Sequence, residues 1–194
     1  MKASLMLGAN PKEPREENDF YATNPKALEL ALPQLEALGL SNKVWECACG
    51  QGHLAEVLKK HGYNVLATDL IDRGYGDGII DFLDCDYHFD GDIITNPPFK
   101  LAEKFVEKAF ELIDDGKKVM FFLKVQFLES KKRNKLFKKY PLKKVLVYSE
   151  RQQCAKNAEF EKYNATTQCY CWYIFEKGYT GEPTIGWIME EEEE

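Results

Sequence analysis

The sequence predicts an α/β fold: a mostly parallel seven-stranded sheet with an antiparallel edge strand and helices on both faces. Three observations predict it. Short apolar runs alternate with stretches whose apolar residues recur at helical spacing, the pattern of repeated βα units. The run 119–125 is apolar almost throughout instead of alternating, as strands covered on both faces are. Finally, 194 residues, 44% of them apolar and 13% aromatic, suffice for one domain with a real core but not for two.

Residues 1–18 are polar, contain Pro11 and Pro14 and show no period, so they are expected to form a flexible arm ahead of a single domain over 19–188. Asn24 as cap and Pro25 at the first helical position open a helix carrying Leu28, Ala31, Leu32 and Leu35, with Pro33 inside it and Gly39 as its stop. Residues 43–48 then read as a strand, 54–61 as a helix stopped by Gly62, and 64–70 as a second strand. The glycine-rich stretch Gly74-Tyr75-Gly76-Asp77-Gly78 leads to a short strand around Ile79 and Ile80. The fourth strand, 92–95, must stop at Asn96-Pro97-Pro98, because proline lacks a backbone N–H and holds the residue before it extended. Leu101, Phe105, Ala109 and Leu112 mark the following helix, 119–125 a fifth strand and 127–139 a basic helix. Two more strands, 143–148 and 168–176, have no clear helix between them and are expected to form the antiparallel edge; residues 189–194 read as an acidic, disordered tail.

No apolar run approaches the roughly 18 residues of a membrane span, and no apolar signal-peptide core opens the chain, so a cytoplasmic protein without a membrane partner is expected. Six cysteines include the pairs Cys47/Cys49 and Cys169/Cys171 but no CxxC; side chains two apart on a strand point alike, so reduced thiols and no metal are expected. The net charge of -6 argues against broad wrapping of nucleic acid. The charge is uneven, however: eight Lys or Arg and no acid lie between Ser130 and Ser149. Lys131, Lys132, Arg133 and Lys135 therefore form either a phosphate-binding face or a solvated helix surface.

The chemistry gathers at strand ends. Glu46-Cys47-Ala48-Cys49-Gly50-Gln51-Gly52 closes the first strand with two glycines, which let a ligand approach the backbone. It lacks the third glycine of a dinucleotide fingerprint, and no phosphate loop occurs. Asp69, seventeen residues past Gly52, is placed to grip ribose hydroxyls or, more plainly, to cap a turn. Four consecutive strands thus end in Glu46, Asp69, Asp81 and Asn96, which in a parallel sheet line one crevice suited to a nucleoside-containing cofactor.

Asn96-Pro97-Pro98-Phe99 resembles the catalytic motif of class I S-adenosylmethionine-dependent methyltransferases of the amino-methylating type, close to small phage DNA N6-adenine methyltransferases. The run from Glu46 to Leu54 resembles their glycine-rich motif, and Asp19-Phe20-Tyr21-Ala22-Thr23-Asn24-Pro25 their N-terminal cofactor motif. The resemblance implies a Rossmann-like fold, S-adenosylmethionine as cofactor, and methyl transfer to the N6 amine of adenine, in DNA ahead of RNA; the oligomeric state stays open, with a monomer as the default. It places Tyr21, Thr23, Glu46 and the backbone of Ala48, Gly50 and Gly52 at the methionine end of the cofactor. Asp69 would hold the ribose, with Leu70, Asp81 and the Phe82 N–H around the adenine. Asn96 and the Pro97 carbonyl would accept from the target amine, Pro98 would stiffen the loop, and Phe99 would stack on the base, with Phe160 or Tyr163 as further base contacts. An RNA or protein-glutamine methyltransferase and a non-catalytic binding module are the alternatives.

Overall fold

A computed structural model describes residues 21–156, 158–163 and 168–190; the side chain of Tyr163 lies outside the description. The expected arm 1–18, Asp19, Phe20 and residues 191–194 of the tail also lie outside it. In chain order the elements are β1 (Tyr21–Thr23), α1 (Pro25–Ala37), β2 (Lys43–Glu46), α2 (His53–Lys60), β3 (Asn64–Asp69), β4 (Gly78–Ile79), β5 (Asp92–Thr95) and α3 (Ala102–Leu112). They continue with β6 (Lys118–Lys124), α4 (Lys131–Lys139), β7 (Leu142–Tyr148), β8 (Cys154–Lys156), β9 (Tyr170–Glu176) and β10 (Thr184–Ile188).

The main sheet runs β10-β7-β9-β6-β5-β2-β3-β4, and a separate antiparallel ribbon joins β1 to β8. Neighbouring strands from β4 to β6 are parallel. Three features depart from the expectation. The sheet has eight strands where seven were expected. The addition, β10, escapes a pattern search because Pro183 precedes it, Gly186 interrupts it and only Ile188 is buried. The antiparallel strand is β9, which lies between β6 and β7 and not at an edge. Six consecutive buried residues, Tyr170 to Phe175, make β9 apolar on both faces, which suits an interior strand. Residues 125–128 form a 3-10 turn, so the basic helix starts only at Lys131, behind Ser130, whose hydroxyl accepts from the Arg133 N–H.

Alternation along the strands builds two cores. Trp45, Ile93, Phe121 and Tyr173 face α3 and α4 through Phe105, Ala109 and Leu136. Their neighbours Val44, Ile94, Phe122 and Trp172 face α1 and α2 through Leu28, Leu32, Leu54 and Leu58. Trp172 and Tyr173 are thus core groups, as their position on an apolar strand suggests. The cap and proline expected at α1 are present: Asn24 accepts from the Lys26 N–H at 3.0 Å, and Pro33 is carried without ending the helix. No described helix is long and apolar enough to cross a membrane.

Asp92 locks the base of the sheet. Fully buried, it accepts from the Ser41 N–H at 2.8 Å and from the Lys118 N–H at 2.7 Å, joining the entry to β2, β5 and the start of β6. Asp92→Ala leaves both donors unpaired, and we expect a loss of about 2–4 kcal/mol in urea denaturation, whereas a surface carboxylate such as Glu107 should cost under about 0.5 kcal/mol.

Candidate functional site

The strand order β4-β3-β2-β5-β6 reverses direction between β2 and β5, and the carboxyl ends flanking such a switch point form a crevice. Glu46, Asp69, Asp81 and Asn96 all lie at or just past those ends.

Asn96 is the most constrained of them. Its Nδ2 donates to the Tyr21 carbonyl at 3.0 Å and to the Thr23 hydroxyl at 2.9 Å, with the Cys154 sulfur at 3.9 Å. Both amide hydrogens are thereby used, which fixes the amide orientation, while Oδ1 is buried and has no partner among the described residues. Pro97 is buried and Pro98 exposed; the Pro98 carbonyl accepts from the Leu101 N–H at 2.8 Å and starts the run into α3. Phe99 is half-buried, with the Tyr21 ring at 6.4 Å, the Tyr170 ring at 6.0 Å and the Lys124 ammonium 5.0 Å from its centroid.

Glu46 is 2% exposed and accepts from the Thr95 hydroxyl at 3.0 Å through Oε1, while Oε2 has no aligned donor among the described residues. Burial pushes its carboxyl up to about 8, against the pull of the Thr95 hydrogen bond and a weaker one from the Ala55 N–H, and the nearby Asp69 charge adds to the rise. Near neutral pH the site therefore holds a mostly protonated acid with an unsatisfied oxygen, a group that a cationic ligand would ionise.

Asp69 ties two loops together: Oδ2 accepts from the Gly50 N–H at 2.8 Å and Oδ1 from the Ile71 N–H at 3.0 Å, leaving lone pairs on both oxygens. The Gly50 N–H is consequently spent inside the protein. Gly52 adopts φ +85°, and a Cβ on it would lie 2.4 Å from the Tyr75 ring, whose hydroxyl donates to Glu56 and accepts from Lys59. The glycine at 52 is thus required by the packing of the 74–78 loop. Ala48 is half-buried and packs against the core that contains Trp45. Leu70 and Asp81 are exposed, with one Asp81 oxygen accepting from the Leu83 N–H at 2.9 Å. The Phe82 ring is buried edge-on against Trp45 at 5.3 Å.

The fold therefore brings Tyr21, Thr23, Glu46, Ala48, Gly50, Gly52, Asp69, Leu70, Asp81, Phe82 and the Asn96–Phe99 loop to one edge. Sequence reasoning missed Cys154, Lys124 and Thr95, which touch these groups and carry no motif, and it gave Tyr170 no role at the site. It also missed Ile79, opposite Asp69 in the β3–β4 pair and 65% exposed, which extends the apolar rim of Leu70. The Phe160 ring packs edge-on against His53 at 5.5 Å. Among the described residues, no cluster of His, Cys, Asp and Glu could hold a metal.

On α4, Lys131, Lys132 and Lys135 are exposed, whereas Arg133 turns inward. Its guanidinium lies 4.8 Å from the Phe127 ring centroid, donates to the Gln126 carbonyl at 2.8 Å and pairs with Glu103. Lys132 also reaches Glu103, at 2.5 Å, and this carboxylate sits in the first turn of α3, just past Phe99. The basic helix start thus borders the same edge as the crevice.

The sequence matches no protein-family model and no curated protein. The structure is similar to a candidate RNA methyltransferase of Pyrococcus horikoshii, with a TM-score of 0.58 and 18% identity over 86% of this chain and 90% of that one. A candidate class I S-adenosylmethionine-dependent methyltransferase of Listeria monocytogenes aligns with a TM-score of 0.62 and 13% identity over 91% of this chain and 68% of that one. The type IIG restriction endonuclease BpuSI aligns over 86% of this chain and 26% of its own, with a TM-score of 0.59 and 14% identity. The fold is similar to that of these solved methyltransferase structures.

The raised Glu46 carboxyl makes a pH prediction. Between its ordinary value of 4.5 and about 8, the unfolded chain has released this proton while the folded one holds it, so the Glu46 contribution to stability falls as pH rises. Urea denaturation across pH 5 to pH 9 should show a downward slope that Glu46→Gln lacks up to about pH 8; identical slopes would contradict the burial effect.

Proposed function

We propose that the protein transfers a methyl group from S-adenosylmethionine to the exocyclic N6 amine of adenine in DNA. The observation that carries this reading is the Asn96 amide, held through its nitrogen so that its buried oxygen has no partner among the described residues, in the loop that leads to Phe99.

The residues present fit the cofactor. Glu46 offers an acidic group, one oxygen of which has no aligned donor among the described residues, to a cationic ligand, Asp69 retains lone pairs for ribose hydroxyls, and Leu70 and Ile79 are exposed apolar side chains close in the chain to Asp81. When bound, the cofactor supplies an electrophilic sulfonium methyl. The protein's task is then to make the amine nucleophilic. An exocyclic amine is delocalised into its ring, and acceptors that take its hydrogens let the lone pair localise as the nitrogen becomes tetrahedral. Asn96 Oδ1 is one acceptor and the Pro97 carbonyl the second. The two prolines limit the ordering still required on binding. Phe99, with Tyr21 and Tyr170 behind it, forms an aromatic platform for a base removed from its stack, worth about 1–3 kcal/mol.

A polymer substrate is favoured by the exposed lysines at the start of α4 on the same edge. RNA adenine is the second reading, because one structural neighbour is a candidate RNA methyltransferase, while the restriction endonuclease points toward DNA.

Asn96→Ala should lower transfer to DNA by about 10²–10³-fold while cofactor affinity changes little; undiminished transfer would remove the mechanism. Replacing Lys131, Lys132 and Lys135 with Ala should weaken DNA binding and reduce the slope of log affinity against log salt by up to about 3. Arg133→Ala should instead act mainly on stability, and an unchanged salt slope in the triple variant would leave α4 a solvated face.

A further inference from the structure

We infer that Thr23 is a positioning residue for Asn96 and not a contact for the cofactor, an inference that rests on the proposed methyl transfer. Thr23 lies on the β1–β8 ribbon opposite Cys154, and its hydroxyl is committed to the Asn96 amide. Its hydroxyl oxygen takes one of the two Asn96 amide hydrogens, at 2.9 Å, and the Tyr21 carbonyl takes the other, at 3.0 Å. Tyr21 and Thr23 are alternate residues of one strand, so the ribbon presents both acceptors to the same NH₂ group.

The geometry decides the amide's direction. An inverted amide would set Oδ1 against the Tyr21 carbonyl oxygen, two acceptors facing each other with no hydrogen between them. The ribbon therefore favours the orientation in which Nδ2 meets both acceptors and Oδ1 is left without a donor among the described residues. A cofactor contact made by this segment falls to Tyr21, which is 38% exposed and carries its ring toward Phe99. Removing the Thr23 hydroxyl while keeping its shape leaves one amide hydrogen with only the Cys154 sulfur, at 3.9 Å, to receive it, so the amide is held more weakly.

The test compares Thr23→Val, Thr23→Ser and wild type in steady-state transfer to DNA, in cofactor binding by calorimetry, and in the side-chain ¹⁵N–¹H signals of Asn96, assigned with Asn96→Ala. We expect Thr23→Val to lower kcat by about tenfold or more, with the cofactor Kd within about threefold of wild type and the Asn96 amide shifted and faster in hydrogen exchange. Thr23→Ser, which keeps the hydroxyl, should recover kcat and the wild-type amide signals. A raised cofactor Kd with kcat intact at saturating cofactor would overturn the inference, as would an Asn96 amide unmoved in Thr23→Val. Wild type that transfers no methyl group would refute the proposed function, and the amide signals would still decide the role of Thr23.

Discussion

Two hydrogen bonds from one side chain organise the crevice. Through Nδ2, Asn96 fastens the ribbon strand β1 to the end of β5, joining segments 73 and 75 residues apart in the chain. Each bond is worth only about 1 kcal/mol net, but leaving a buried donor unmade costs more, so the arrangement resists alternatives more strongly than its stability share suggests. The same bonds leave Oδ1 as an acceptor with no donor among the described residues, an arrangement that would suit an incoming amine. Pro97 and Pro98 complete the constraint by stiffening the loop in which the asparagine sits.

The sheet makes this local geometry possible. Alternating side chains feed two cores, which leaves polar groups mainly to the strand ends. At the switch point between β2 and β5, the crevice divides into two electrostatically different halves. On one side, Glu46 and Asp69 supply acidic groups, the first held largely neutral by burial until a cation reaches it. On the other, Asn96 and Phe99 supply a neutral acceptor and a flat apolar face. A positively charged methyl donor and a neutral, flat acceptor would each find the matching half.

Much of this was legible in the sequence because it rests on local rules. Proline chemistry fixed the end of β5, Asn24-Pro25 the start of α1, and unbroken apolar runs the interior parallel strands. What stayed hidden depends on long-range contacts. Nothing in the residues around Thr23 or Cys154 signals that they meet at Asn96. Gly52 reads as room for a ligand, yet its missing Cβ makes room for Tyr75. Arg133 sits in a basic run, but its planar guanidinium finds the Phe127 face and Glu103, and so belongs to the fold more than to the surface. The interior placement of β9 follows from six buried residues in a row, a pattern that says "central" without saying between which neighbours.

The central claim is that this crevice directs a methyl group to an exocyclic adenine amine. The most direct measurement incubates the protein with methyl-labelled S-adenosylmethionine and separate DNA, RNA and peptide pools, then digests each pool and identifies the labelled product. The account predicts label on the N6 amine of adenine from DNA; label on a ring carbon, a sugar hydroxyl or a peptide amide, or in no pool at all, would contradict it.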